Sequence, residues 1–488
     1  MKNIKNFRIN PNQESHDNIR KIKEEIEEIA SHQEMLDLST TLSELIEVPS
    51  DILNMKVKQI IYNKFDYLNK IPRFKLSFNI FDTIKYSIFF IFLTLINKTS
   101  QFKKESVDVI LDNVEKPYVV EKFKKLLFFF KKPLVITNKK VIHQLQSSYQ
   151  KFIFLDEYKF LFSNNLIFKK KYKILKFLTK IIFLSVKNNL NLLPIFFTIF
   201  FTSLKYHKIF NRNYSKFLIF DRIYHSCPVR NYLFKKYGGK ETLCVQSHLA
   251  EATISVFSNL DTLVTFGKEK DTSKKLQLLG GKVNRYFPCG SIRMEHGLEN
   301  EESSKLIEEI DILFIGLNPT IWLGTSKKIS EIYYEQMKWV LKISEKFPSL
   351  NIIYKHHPNF KGDIIENKIF ETSNIKTIIV PKENVNSYHY LIKSQLILSF
   401  GSTMILEGLS LGKPCFFLDP EFSNSAFFEN LEYLKDKRIK SYKVLDEIVT
   451  DFFTRKNKSK IFFKETEKFC LPYQKASETI FNYIKKNR

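Results

Sequence analysis

Cysteine is scarce. The five in 488 residues (Cys227, Cys244, Cys289, Cys415, Cys470) are odd in number, scattered, and never form a Cys-x-x-Cys pair. Such usage excludes a disulfide scaffold and reads as reduced core or surface thiols. His/Cys clusters at metal-ligand spacing are missing, as is any Asp-x-Asp pair, so no divalent metal and no cofactor is expected. No apolar run reaches the ~20 residues that a membrane-spanning helix needs. Residues Met1 to Glu14 are basic and polar and lack the apolar stretch of a secretory signal, so a cytoplasmic location is expected. Negative charge is also short, with 52 acidic residues against 77 Lys and Arg, a formal net charge of +25. An anionic partner follows: nucleic acid, anionic lipid, or phosphorylated and acidic glycans, among which charge alone does not choose. No recognised nucleic-acid module is present, and nucleic acid is not expected.

Aromatics are abundant, with 47 Phe and 22 Tyr, and the chain is too long for one hydrophobic core, so two or three domains are expected. The stretch from Ser15 to about Lys70 is charged and helical, with i,i+4 pairs of opposite sign, and reads as a solvated helical arm. Two apolar runs follow, Tyr86 to Ile96 and Leu192 to Phe201. Between them, from Lys169 to Leu178, cations alternate with large apolar side chains. That pattern fits an interfacial helix on anionic lipid, and equally a core helix with a wet basic face.

Strand candidates are 133–137, 152–156, 217–221, 242–246, 262–266 and 285–289. After a charged linker from Glu299 to Lys305 come 312–316, 351–354, 377–380, 396–400 and 415–418. Strands alternating with helical pattern make parallel sheets. The expected fold class is α/β, two Rossmann-like domains. Residues 1–105 form a helical extension and 106–298 a first half with a helical insertion near 160–210. Residues 299–470 form a second half and 471–488 a closing helix.

Two strand-end motifs carry the chemistry. In Lys355-His356-His357-Pro358, period-2 alternation puts Lys355 and His357 on one side and His356 on the other. Beyond the 396–400 strand, Gly401 opens a turn so that Ser402 and Thr403 cap a helix that runs through Glu407 to Gly412-Lys413-Pro414. Helix ends of this kind bind phosphate. Gly412 and Lys413 read as structural.

These residues resemble the second domain of GT-B fold glycosyltransferases of bacterial surface polysaccharide synthesis. The nearest patterns are the His-Pro and Ser-Ser/Thr motifs of sialyl- and polysialyltransferases and those of teichoic-acid glycerophosphotransferases. Gly290-Ser291-Ile292-Arg293 is similar to the hinge of such enzymes. The resemblance spans roughly Thr242 to Pro420 and implies two domains facing each other. It further implies sugar transfer from a CMP-, CDP- or UDP-linked donor to a glycan or lipid-linked acceptor, at the inner face of the cell membrane. By the same resemblance Lys355, His357, Gly401, Ser402 and Thr403 hold the donor phosphates, Glu407 the ribose, and Pro381 to Asn384 border the base. The catalytic candidates are His357 and, as general base on the acceptor side, His248, with Glu251 and Asp221 behind it. Asn318 and Thr320 line the cleft or simply make a turn. A non-hydrolysing UDP-sugar 2-epimerase and a polymerising CDP-glycerol glycerophosphotransferase share these motifs.

Overall fold

The computed structural model describes residues 16–65, 78–96, 105–157, 171–222, 225–247, 257–268, 281–299, 307–316, 327–357, 364–371, 373–378, 386–399, 401–420, 432–454 and 466–488. Two wholly parallel sheets organise them. The first comprises β1 (Val109–Val114), β2 (Pro133–Thr137), β3 (Ile153–Asp156), β4 (Phe217–Asp221), β5 (Glu241–Val245), β6 (Asn259–Thr265) and β7 (Lys282–Pro288), in the order β3-β2-β1-β4-β5-β6-β7. The second comprises β8 (Ile310–Ile315), β9 (Ile352–Lys355), β10 (Lys376–Ile378), β11 (Ser394–Ser399), β12 (Cys415–Leu418) and β13 (Arg438–Ile439), in the order β10-β9-β8-β11-β12-β13. Both halves therefore run 3-2-1-4-5-6, the doubly wound Rossmann order, with a seventh strand added at the edge of the first.

The strands read as near-continuous apolar runs because helices cover both faces. Within β1, Ile110 faces one core with Leu134, Leu218 and Phe220, whereas Val109 and Leu111 face another with Val135, Phe217 and Ile219. β1 is an interior strand of the first sheet, paired with β2 and β4, and is absent from the strands expected above. Asp112 and Asn113 interrupt its apolar run, yet Asp112 is fully buried, its Oδ2 held by Arg230 Nη1 at 3.0 Å and the Tyr206 hydroxyl at 2.8 Å.

The N-terminal helices α1 (His16–Ser31), α2 (Gln33–Ile46) and α3 (Ser50–Phe65) correct the solvated-arm expectation. Ile26, Ala30, Met35, Leu38, Leu42, Leu53 and Val57 are buried in the first core, so only the outer faces of these helices are wet. With α4 (Ile80–Ile96), α6 (Lys171–Asn188) and α7 (Leu192–Arg212) they form a helical layer on one face of the first sheet; α5 (Pro117–Phe128) lies on the other. Among the described residues no helix is long and apolar enough to cross a membrane.

The last helix, α10 (Ala476–Asn487), returns to the first half. Ala476, Ile480 and Ile484 complete the core on the α5 face, and Phe481 stacks on Phe129 at 4.9 Å. Glu295, in α8 (Ile292–Gly297), accepts from Lys125 Nζ at 2.7 Å and from the Ser477 amide at 2.9 Å. The chain's return is thereby fastened beside the connection between the halves.

Candidate functional site

In each sheet the winding reverses between the first and fourth strands, β1/β4 and β8/β11, and open α/β sheets hold ligands beyond the carboxyl ends of strands at such points. Lys355 ends β9 level with Ile315, and Ser399 ends β11 level with the same Ile315. The two motifs therefore flank β8 rather than adjoin, two strand spacings or about 10 Å apart.

Lys355 is only 2 % exposed. Its Nζ donates to the His356 carbonyl at 3.1 Å, and among the described residues no carboxylate pairs with it. Burial, reinforced by the like charge of Arg293, drops its pKa from 10.5 to about 8. His357 is half-buried; burial, then Lys355 and Arg293, lowers its pKa to about 4, so it is neutral at pH 7. His356 turns the other way, edge-on to the Tyr354 ring at 4.8 Å, with Nδ1 3.1 Å from Glu366. Strand alternation thus separates a structural imidazole from the lysine and imidazole that share Arg293's field.

Across the seam, the first half contributes groups that sequence reading did not assemble. Lys122, on α5, lies 2.6 Å from Asp221 Oδ1 at the end of β4 and donates to Ser247 Oγ at 3.2 Å. Ser247 Oγ donates to the same carboxylate at 2.6 Å. Arg222 reaches Asp221 Oδ2 through Nε at 3.0 Å and donates to the Tyr118 hydroxyl at 2.7 Å, from a left-handed backbone at φ 67°. A non-glycine residue held there stores strain, and such strain concentrates at ligand sites. Burial pushes the Asp221 carboxyl up, but Lys122 and Arg222 outweigh it and hold it below the usual range. Burial likewise takes Lys122 down to about 8 despite Asp221, with Arg293 and Arg222 adding to the drop.

Arg293, near the start of α8, joins the two clusters. Its Nη1 lies 3.5 Å from the Ser247 carbonyl, and its charge depresses Lys122 on one side and Lys355 and His357 on the other. The carboxyl ends of both sheets therefore face a common, net-cationic space. The signals that could have found these groups are weak: Lys122 sits among Lys124 and Lys125 in an ordinary amphipathic helix, and only the β1/β4 winding brings it to Asp221.

Glu407, in α9 (Met404–Ser410), is buried at the seam. Its Oε1 accepts from Ser291 Oγ and from the Tyr388 hydroxyl at 3.0 Å, and burial raises its carboxyl above the usual range. These contacts make it a strut between the halves. Gly401, Ser402 and Thr403 are partly exposed beside it. Ser402 Oγ accepts from the Met404 amide at 3.3 Å, whereas Thr403 adopts helical backbone and makes no cap bond, so the expected double cap reduces to Ser402. Gly412 has φ 72°, and Lys413 donates to the Ile392 and Ser394 carbonyls at 2.8 and 2.6 Å. Both are structural. His248, Glu251, Asn318, Thr320, Pro358 and Pro381 to Asn384 lie outside the described residues. Among those described, no three His, Cys, Asp or Glu side chains converge as a metal site.

No family model and no curated protein matches the chain. Solved structures of similar outline exist. UDP-GlcNAc 2-epimerase from Neisseria meningitidis, bound to UDP-GlcNAc, aligns over 78 % of this chain and 100 % of its own at 14 % identity, with a TM-score of 0.44. The corresponding enzyme from Methanocaldococcus jannaschii aligns over 78 % and 100 % at 13 % identity and 0.46. The wall teichoic acid polymerase TagF, soaked with CDPG, aligns over 84 % and 98 % at 10 % identity and 0.43.

Proposed function

We propose that the chain is a GT-B type glycosyltransferase that moves a sugar from a CMP-, CDP- or UDP-linked donor to a surface glycan or lipid-linked acceptor. It works without a metal, in capsule or lipopolysaccharide assembly, peripherally on the inner face of the cell membrane. One observation carries the reading: Lys355 is a buried cation with no acid beside it among the described residues, next to a second cation and a neutral imidazole. An uncompensated buried charge is costly and persists where a ligand of opposite sign completes it.

The donor's phosphates dock against Lys355, His357 and Arg293, with the Ser402 and Thr403 hydroxyls and Gly401 closing the other side of β8. As the glycosidic bond breaks, negative charge grows on the departing phosphate, and cations already fixed in a dry cleft stabilise it without reorganising. Neutral His357 donates a hydrogen bond to that phosphate, whose growing charge Lys355 and Arg293 offset. His248 receives the acceptor proton, with Glu251 as its substitute. Asp221, already held by two cations, is a weak base and instead positions Lys122 and Arg222 toward an anionic acceptor.

The test is a thermal-shift panel of CMP-, CDP-, UDP- and GDP-sugars followed by transfer assays. Stabilisation by one nucleotide class, lost in Lys355→Met and His357→Ala, supports the reading; no response to any of them overturns it. Inversion at sugar C2 without transfer would identify a 2-epimerase, and consumption of CDP-glycerol a glycerophosphotransferase.

A further inference from the structure

Sixteen large apolar side chains are exposed among the described residues, and eleven of them lie on two helices, seven on α4 and four on α6. The two helices turn narrow stripes inward. Phe90 stacks on Phe200 of α7 at 4.4 Å and meets Phe177 of α6 at 6.4 Å, which fixes α4 and α6 side by side. The outer stripes are exposed, with Phe81 80 %, Ile88 61 % and Phe183 65 % accessible, together with Phe92, Tyr172 and Leu175. A contiguous apolar surface of this kind on a soluble domain marks an interaction site.

Charge on the same surface selects the occupant. Helix α6 contains no acidic residue, and Lys176 and Lys180 are exposed between its apolar positions. The single acid of α4, Asp82, is half-buried and accepts from Asn191 at 3.0 Å. Apolar side chains interspersed with exposed lysines complement a sheet of negative headgroups over hydrocarbon. A second copy of the chain would bring lysine against lysine.

We infer that the outer faces of α4 and α6 form a docking platform for an anionic bilayer, with Phe81, Ile88, Phe92 and Phe183 inserting between acyl chains and Lys176 and Lys180 contacting headgroups. This names the surface behind the membrane location proposed above, and it stands independently of the transfer chemistry.

The test is co-sedimentation of the full chain with phosphatidylglycerol-containing vesicles and with pure phosphatidylcholine vesicles. The chain pellets with the former, and partitioning falls at least about tenfold with the latter. Lys176→Glu with Lys180→Glu costs about tenfold or more on anionic vesicles, and Ile88→Ser with Phe183→Ser costs about tenfold on the same vesicles. All four positions are exposed, so both variants keep the fold, which an unchanged thermal midpoint and an unchanged nucleotide response verify. Unaltered partitioning of both variants, or failure of the parent chain to bind anionic vesicles, overturns the inference. So does a change from dimer to monomer by light scattering with vesicle binding intact, which would assign the surface to a second copy. Vesicle binding without any nucleotide response would instead count against the transferase reading alone.

Discussion

Replacing Lys355 by Met should make the protein more stable and less able to bind nucleotide, and the two effects should have different pH dependences. The lysine's pKa falls from 10.5 to about 8 on folding. At ~1.36 kcal/mol per unit, burying its charge costs about 3 kcal/mol wherever both states are protonated. The sign follows from proton counting: between pH 8 and 10.5 the unfolded chain holds a proton that the folded chain has released, so parent stability rises with pH across that window. The cost is therefore fully present below pH 8, and at pH 10 about 1 kcal/mol of it remains. Methionine matches the stem of lysine and forfeits only the bond to the His356 carbonyl, a loss of about 1 kcal/mol. The net expectation is a gain of about 2 kcal/mol at pH 7 that disappears by pH 10. Thermal or urea unfolding at both pH values measures it. In parallel, calorimetric titration with the cognate nucleotide should show a ten- to hundredfold weaker complex, on the order of one charge-assisted hydrogen bond. A Lys355→Met protein that is destabilised at pH 7, or that binds nucleotide as the parent does, would mean that the lysine is structural, and the assigned pocket would be wrong.

Four further outcomes are expected. His357→Ala abolishes transfer while leaving the unfolding midpoint near the parent's, and retained turnover would discredit the pocket. Because His357 is neutral with a pKa of about 4 and a docked phosphate favours imidazolium, nucleotide binding takes up protons as pH drops from 6 toward 4 in the parent but not in His357→Gln, seen by calorimetry in buffers of different ionisation enthalpy. Asp221→Asn strands Lys122 in the interior and costs about 3 kcal/mol; adding Lys122→Met recovers most of it, and an additive double-mutant cycle would refute the pairing. Ser291→Ala removes both the cap that accepts from the Met294 amide at 3.1 Å and a donor to Glu407, so it destabilises by about 1–2 kcal/mol in urea titrations.

Local pattern exposed what local physics dictates. The alternation that turns His356 away from Lys355 and His357 follows from strand geometry, and the second-half strands are apolar runs bounded by turns. β1 escaped because Asp112 is paired with Arg230, 118 residues distant in the chain, and sequence windows do not extend that far. The N-terminal helices misread as a solvated arm carry enough charge on their outer faces to mask the inner stripe from Ile26 through Met35 to Val57. Amphipathicity says that a helix has an inner face; it does not say whether a core exists to receive it.

The two switch points make a comparison that neither motif makes alone. Each sheet, wound in the same order, places one buried lysine at the carboxyl ends of its strands, and burial brings both to about pH 8. Lys122 sits 2.6 Å from Asp221, a pair whose desolvation cost is largely recovered inside the protein. Among the described residues Lys355 has a carbonyl and, nearby, more positive charge. The two lysines differ in origin, Lys122 reaching in from helix α5 and Lys355 ending β9, and they differ in compensation. The compensated one holds an ion-pair network with Asp221 and Arg222 that borders Arg293; in the proposed function the other receives the donor's negative charge, the assignment that Lys355→Met tests.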